Sequence, residues 1–155
     1  MAGFGTVLFL VLFTQAAIGC TFSIIGLALP MLARDFGVDT SVIVWVLFAP
    51  QLVSGMLSTP LGRLADLYGR KACWFCGCLV HLVSMLGCGF APSIGWLICA
   101  RSLTGIGWAL EGPSGGAIAM SCYPVDKRGY VISWSTVVNT LAASMGMILG
   151  GLLLS

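Results

Sequence analysis

Five long apolar stretches, separated by short polar or glycine-containing segments, constrain this chain more than any other feature. They cover about residues 6–29, 43–61, 72–90, 94–120 and 131–154. Each has the roughly 20 residues that a helix needs to cross the hydrocarbon core of a bilayer. Because that core offers no water to the backbone, only helices or a closed barrel can span it. The stretches are long and lack period-2 alternation, so they predict an all-α, polytopic membrane protein with five transmembrane helices.

The composition agrees with a membrane location. Only 8% of the residues are charged and 59% are hydrophobic, whereas a soluble domain carries about 25% charged residues. The net charge of +2 is distributed over loops rather than gathered on one basic face, so no nucleic-acid partner is expected. No linker or low-complexity segment divides the sequence. We therefore expect residues 1–155 to form a single membrane domain whose main partner is the lipid bilayer.

The charges of the loops predict the orientation of the chain. Arg63, Arg70 and Lys71 lie in the second loop, and Lys127 and Arg128 lie in the fourth. Loops on the cytoplasmic side of a membrane are enriched in lysine and arginine. Both loops are therefore expected in the cytoplasm. Five spans then place the amino terminus in the cytoplasm and residue 155 on the outer side, most simply of the plasma membrane.

A group of cysteines on the third stretch invites a metal-site hypothesis. Cys73, Cys76 and Cys78 precede His81 closely in the sequence. On a helix with 3.6 residues per turn, these side chains point around most of the circumference and cannot converge on one ion. Small polarisable side chains that pack in an apolar helix account better for these residues. The sequence therefore predicts neither a metal nor a cofactor.

Three ionisable side chains fall inside the predicted spans: His81, Arg101 and Glu111. A charge at the centre of a bilayer costs about 2.5–3.5 kcal/mol on insertion scales, so each needs a partner or an aqueous cavity. Arg101 and Glu111 lie on one helix about 15 Å apart along its axis, so they cannot pair with each other. Two interpretations stay open for them, a functional site and a structural pairing with another helix. For His81 a neutral imidazole bonded to a neighbour is favoured.

One motif raises an enzymatic alternative. Residues 112–115 read Gly-Pro-Ser-Gly, and this resembles the Gly-x-Ser-Gly pattern of rhomboid intramembrane serine proteases. Such a nucleophile needs a base within hydrogen-bond reach, and those enzymes carry a histidine on a later helix. The one histidine here, His81, precedes Ser114. The sequence therefore predicts no catalytic residue, and the protease remains a remote alternative.

The second loop carries the most specific motif, GRLADLYGRK at residues 62–71. Its spacing resembles the loop between the second and third helices of the major facilitator superfamily of transporters. The resemblance implies that Asp66 braces the end of a helix in the opposite half of the molecule, where a carboxylate is favoured at a helix amino terminus. It further implies a conformational-lock loop made by Gly62, Asp66, Gly69, Arg70 and Lys71.

Other segments resemble the same superfamily in the right order. Residues 25–30, IGLALP, close the first span as in the fourteen-span drug:proton antiporters, and Leu97-x3-Arg101-x3-Gly105-x-Gly107 is similar to the fourth-helix signature. Residues 146–151, GMILGG, are similar to the fifth-helix pattern of those antiporters. Small residues let membrane helices approach closely. The glycines expected to pack helices in this way are Gly105, Gly107, Gly146, Gly150 and Gly151.

The chain also departs from the antiporter pattern. Thr21 stands where many antiporters carry an aspartate, Met147 replaces the fifth-helix proline, and Ser121 replaces an acidic residue. Glu111 occupies a position that is usually apolar in the family. These departures weaken proton coupling as a mechanism. Arg101 and Glu111 are left as the candidates for it.

The resemblance implies the N-terminal, five-helix portion of an efflux transporter for a small organic solute, drug or secondary metabolite. Its substrate or coupling candidates are Gln15, Arg101 and Glu111, with protons as the candidate coupling ion. Family members have twelve or fourteen spans in two related halves, with the substrate site between the halves. Five spans make an incomplete N-terminal half, so the remainder of the transporter is an expected partner. The alternative is a truncated membrane fragment that transports nothing.

Overall fold

The computed structural model describes residues 2–121 and 123–153 of the chain, with side chains described at residues 9–121 and 123–152. Within these residues there is no strand, and helices account for nearly all of the backbone. This confirms the predicted all-α fold class. The helices are α1 (Ala2–Phe36), α2 (Thr40–Ile43), α3 (Trp45–Tyr68), α4 (Arg70–Gly89), α5 (Ile94–Ser121) and α6 (Arg128–Leu153), with a 3-10 turn at Val125–Lys127 before α6.

Four segments are long and apolar enough to cross a membrane by length and composition: Phe9–Phe36, Thr40–Tyr68, Arg70–Gly89 and Val125–Leu152. They support a polytopic membrane protein. The helix α5 is not among them, because Arg101 and Glu111 lower its mean hydropathy. Its crossing of the bilayer stays a prediction. The predicted end of the fifth span at residue 154, and the outer location of residue 155, lie outside the described residues.

Two glycines in the left-handed region of φ end the helices α1 and α3. Gly37, with φ of 61°, follows α1, and its N–H donates to the carbonyl of Arg34 at 3.2 Å. Gly69, with φ of 99°, is the single residue between α3 and α4, and its N–H donates to the carbonyl of Ala65 at 3.1 Å. Side chains with a Cβ rarely adopt such a φ. The tight turn in the GRLADLYGRK loop therefore depends on Gly69.

The chain divides into two compact units, and each is described by itself. The first unit comprises Met1–Leu29 and Gly116–Ser155. In it, α1 and α6 approach closely at Gly146, where an added Cβ would lie 2.7 Å from the backbone oxygen of Cys20. The thiol of Cys20 donates to the carbonyl of Ala142 at 2.9 Å. Small residues thus hold these two helices together at backbone distance.

The second unit comprises Pro30–Gly115 and contains α2, α3, α4 and most of α5. Gly105 of α5 packs directly on the backbone of Pro50 in α3, leaving no room for a side chain. A buried cluster of Ala65, Cys73 and Leu110 joins α3, α4 and α5. Further along the two helices, α4 and α5 contact each other through buried hydroxyl groups. Ser84 donates to the carbonyl of Ala100 at 2.8 Å and shares a second hydrogen bond with Thr104.

The five glycines that were predicted to pack helices differ in their surroundings. Gly105, Gly107, Gly146 and Gly150 each face atoms of another helix closely enough that a Cβ would touch them. A Cβ on Gly151 would meet no atom within 4 Å among the described residues. Since Gly150 and Gly151 are neighbours on one helix, they point about 100° apart. Only the first of the two therefore faces α1.

Candidate substrate and coupling site

Arg101 is completely buried in the second unit, with a relative exposure of 0%. Its Nε donates to the backbone carbonyl of Val46 on α3 at 3.4 Å, and its Cζ lies 5.9 Å from the centre of the Trp108 ring. The two terminal nitrogens, Nη1 and Nη2, have no hydrogen-bond partner among the described residues. A buried guanidinium ordinarily has most of its five N–H groups paired. Arg101 therefore keeps donor capacity that this unit does not use.

Glu111 is the second buried charge, with a relative exposure of 3%. Its Oε1 lies 3.3 Å from Nδ1 of His81 on α4. That distance is within ion-pair range but longer than the roughly 2.7–2.9 Å of a strong charge-assisted hydrogen bond. Neither carboxylate oxygen accepts a well-aligned hydrogen bond from any described residue. The contact with His81 is thus an electrostatic pairing rather than a rigid hydrogen bond.

Trp108 connects the two buried charges. Its ring lies beneath the guanidinium of Arg101 and meets the ring of His81 edge-on, with the two ring centres 6.4 Å apart and an interplanar angle of 81°. An arginine over an indole face is attracted by the negative charge density of the ring. Arg101, Trp108, His81 and Glu111 therefore form one continuous set of contacts between α4 and α5. We refer to these four residues as the buried charge cluster.

Sequence reasoning identified three members of the buried charge cluster and missed Trp108. Arg101 and Glu111 do have different partners, as their spacing required, and Glu111 is the neighbour of His81. A signal for Trp108 was present in the sequence. It stands seven residues after Arg101, which places both on one face of the helix two turns apart. A tryptophan at that spacing from an arginine inside a span indicates a cation–π contact.

Gln15, the third candidate, belongs to the first unit. It lines a mainly apolar cavity of about 200 Å³ together with residues from α1, the end of α5 and α6. The other lining residues include Val11, Ala119, Val131 and Ser135. Such apolar walls with a few polar groups are typical of pockets for small organic molecules. Gln15 therefore lines a pocket within the first unit, whereas Arg101 and Glu111 belong to the second unit.

The loop between α3 and α4 is held by an ion pair within itself. Both Nε and Nη2 of Arg70 lie 3.0 Å from Oδ1 of Asp66, and both side chains are exposed. Gly62 lies close to α5, since an added Cβ would be 3.7 Å from Cβ of Pro113. Lys71 is exposed. The loop is therefore a tight turn that presents the Asp66 carboxylate at the surface of the second unit.

Comparison with known protein families identifies the family to which this chain belongs. A family model described as the Major Facilitator Superfamily matches residues 11–155. The chain belongs to the major facilitator superfamily. This confirms the family predicted from the loop and helix motifs, and it makes the protein a multi-pass membrane protein.

Several relatives of the chain are named as drug-resistance proteins. The chain is 35% identical over 141 residues to the lincomycin resistance protein of Streptomyces lincolnensis, covering 90% of this chain and 28% of the relative. It is 32% identical over 140 residues to the multi-drug resistance efflux pump PmrA homolog of Lactococcus lactis, covering 88% and 34%. It is 34% identical over 133 residues to the puromycin resistance protein pur8 of Streptomyces alboniger, covering 84% and 26%. The chain spans about a quarter to a third of the length of these relatives.

Two further candidate chemistries gain no support from the geometry. Ser114, the serine of the protease-like motif, is buried, and its Oγ makes no hydrogen bond to His81 or to any other described residue. No three His, Cys, Asp or Glu side chains in the described part of the chain are arranged to hold a metal ion. Of the seven cysteines, Cys122 lies outside that part, and the others are free thiols. The buried charge cluster therefore remains the candidate functional site of the second unit.

Proposed function

We propose that this chain forms the N-terminal part of a transporter that exports small amphipathic organic solutes, of antibiotic size, in exchange for protons. The observation that carries the proposal is the buried guanidinium of Arg101, whose terminal nitrogens are left unpaired within its unit. A charge inside a membrane helix is costly, and such residues are retained where they serve a substrate or ion pathway.

The two buried charges suit a solute with both polar and apolar parts. Arg101 offers N–H donors, while the carboxylate of Glu111 offers acceptors about 15 Å further along the same helix. Structural pairing accounts in part for Glu111, which lies beside His81, but Arg101 has no carboxylate partner among the described residues. The unpaired guanidinium therefore supports recognition of a solute at Arg101, and the Glu111 oxygens that accept no aligned hydrogen bond leave acceptors for a second contact. The apolar pocket beside Gln15 supports the same class of solute.

The relatives support the direction of transport and the class of solute. Their names refer to multi-drug efflux and to resistance against lincomycin and puromycin, so we infer that this chain serves export of comparable compounds. We further propose a plasma-membrane location, with the amino terminus and the basic loops in the cytoplasm. The remaining helices of the full-length transporter are the proposed partner, and no catalytic step is part of the function.

We also propose that the loop between α3 and α4 acts as a conformational lock. The Asp66 carboxylate is exposed and has only a surface ion pair with Arg70. Such pairs contribute about 0–1 kcal/mol, so Asp66 can change partners at little cost. A helix amino terminus in the other half of the transporter would be a suitable alternative partner.

Transport by reconstituted full-length protein tests the proposal. Lincomycin and puromycin serve as probes, and uptake into inside-out vesicles is followed while a proton gradient is applied. We expect the wild type to accumulate a probe, and Arg101→Ala and Glu111→Gln to lose accumulation while they still insert in the membrane. The matched control is Arg34→Ala, because Arg34 is exposed. Failure of the wild type to move either probe would refute the proposed function. Unchanged uptake in both variants would reduce Arg101 and Glu111 to packing residues.

A further inference from the structure

The helices α4 and α5 carry a reciprocal pattern of glycine and ionisable residue. Gly77 precedes His81 by four residues on α4, and Gly107 precedes Glu111 by four residues on α5. An added Cβ on Gly77 would lie 2.9 Å from Cγ of Glu111, and one on Gly107 would lie 3.2 Å from Cβ of His81. Each helix therefore places a glycine opposite the ionisable residue of the other. The two glycines together make the space in which His81 and Glu111 meet.

Neither glycine is required by the conformation of the backbone. Gly37 and Gly69 are the glycines with positive φ among the described residues, and Gly77 and Gly107 lie in regular helix. Glycine in the middle of a helix is less favourable than alanine. Close helix contact explains one such glycine on each helix. The nearest atoms also include Leu110 Cβ at Gly77 and the Gly77 carbonyl oxygen at Gly107, so the two glycines bring the helix backbones together and thereby place His81 beside Glu111.

Few other ionisable groups act on this pair. On α4, the thiol of Cys78 is near enough to Glu111 to interact with it electrostatically. On α5, Arg101 reaches the pair only through Trp108. From α3 the side chains packed in the adjoining cluster are the apolar Leu61 and Ala65. The charged residues in the loops and at the helix ends of the second unit are exposed.

The protonation states of the pair differ in net charge. With one proton, the pair is neutral overall, whether Nδ1–H of an imidazolium donates to Oε1 or a carboxyl O–H donates to a neutral Nδ1. Without that proton, the pair carries one negative charge in an apolar helix bundle, where net charge is costly. A cationic group that takes the place of the proton restores the neutrality of the pair. The cationic group of a solute can supply that charge.

We propose that His81 and Glu111 together form the proton-binding site of this transporter, with one exchangeable proton shared between the imidazole and the carboxylate. This rests on the proposed exchange of solute for protons, and it adds His81, Gly77 and Gly107 to the residues that serve it. The proton leaves from Oε1 or Nδ1 to water, and no covalent bond to the solute forms. Proton and cationic solute thus compete for the Glu111 carboxylate.

The number of coupled protons provides the test. Full-length protein in vesicles is given a gradient of one pH unit with the membrane potential held at zero, and puromycin or lincomycin is the probe. One coupled proton then supports an accumulation ratio of about tenfold, because one pH unit corresponds to about 1.4 kcal/mol. We expect this ratio in the wild type and a ratio near one in His81→Gln and Glu111→Gln. Exchange of labelled for unlabelled probe, without a gradient, should persist in His81→Gln, because the solute competes for the carboxylate and not for the imidazole.

Two controls separate the pair from its surroundings. Cys78→Ala removes the neighbouring thiol and should keep the accumulation ratio of the wild type. Gly107→Ala should lower the ratio because it pushes His81 away from Glu111, whereas Gly112→Ala should not, since a Cβ there would meet no described atom within 4 Å. Melting of each purified variant in detergent verifies that the change in ratio does not come from unfolding.

The variants distinguish a shared proton site from a carboxylate that acts alone and from a solute-binding role. If His81→Gln keeps the full ratio while Glu111→Gln loses it, the carboxylate acts alone and the shared site is refuted. Retention of the ratio by both variants refutes the site but leaves the transport function intact. Loss of exchange together with accumulation in folded His81→Gln identifies the imidazole as part of the solute site and also refutes the inference. Absence of any probe movement in the wild type instead refutes the proposed function on which it rests.

Discussion

Replacing Gly146 with alanine tests how closely α1 and α6 approach in the first unit. The new Cβ would lie 2.7 Å from the backbone oxygen and 2.8 Å from the Cα of Cys20. Both are backbone atoms, so no side-chain rotation relieves the overlap, and α1 has to move as a whole. That movement would also stretch the hydrogen bond from the Cys20 thiol to the Ala142 carbonyl, now 2.9 Å long.

The magnitude follows from two opposing effects. Overpacking a well-filled contact costs about 1–3 kcal/mol, while alanine in place of glycine inside a helix gains about 0.5–1 kcal/mol. Gly151→Ala is the matched control, because the same helix gains the same methyl group where no described atom lies within 4 Å. The helix-propensity gain cancels in the comparison. We therefore expect Gly146→Ala to be less stable than Gly151→Ala by about 1–3 kcal/mol, the overlap cost alone.

Unfolding of the full-length protein in mixed micelles provides the assay, with tryptophan fluorescence reporting the transition as denaturing detergent is added. The free energy of unfolding of each variant is compared with that of the wild type. Gly151→Ala should equal or slightly exceed the wild type. Equal stability of the Gly146 and Gly151 variants would show that the two helices are not in backbone contact at Gly146, and the packing argument would fail.

Three further predictions concern the second unit. Arg101→Lys keeps the charge but loses the planar group that stacks on an indole and donates in several directions, so we expect transport to fall with unchanged insertion; transport at the wild-type rate would contradict this. Ser84→Ala removes two buried hydrogen bonds, to Ala100 and with Thr104, and should lower the free energy of unfolding in micelles by about 1–3 kcal/mol. Exposed Ser144→Ala should leave the free energy unchanged, and equal effects of the two variants would contradict the role of burial. Asp66→Asn breaks the exposed pair with Arg70 and should change stability by less than about 1 kcal/mol. If the loop is a conformational lock, vesicle transport by the Asp66 variant should nevertheless fall, and normal transport would remove that role.

Much of the fold could be predicted because the bilayer restricts the possible structures. Apolar stretches of sufficient length must be helical wherever lipid surrounds them, since their backbone groups have no other partners. The loop motif places Gly69 between two apolar stretches, and its φ of 99° shows that the chain turns there. Among the described long helices, α5 alone does not qualify as a span by length and composition, because Arg101 and Glu111 interrupt its apolar character.

The candidate site was only partly accessible from the sequence. Arg101 and Glu111 could be identified because charges are rare in membrane helices and each must have a partner. The pairing of Glu111 with His81 could not, because it depends on the rotation of α4 against α5. A rotation of one residue, about 100°, would turn either side chain away from the other. Trp108 was missed although its spacing from Arg101 indicates a cation–π contact, and its contact with the His81 ring depends on the same rotation.

By itself, the sequence determined that this chain is an α-helical membrane protein of the major facilitator superfamily and that two charges lie within one of its helices. Those conclusions depend on properties of single segments, namely length, apolarity and motif spacing. Only the tertiary structure decided that Gly77 and Gly107 face the ionisable residues of the opposite helix, that Gly146 contacts Cys20 while Gly151 does not, and that Trp108 joins the charges. Contacts between helices depend on their relative rotation and translation, which arise from the summed packing of many small side chains rather than from any one segment.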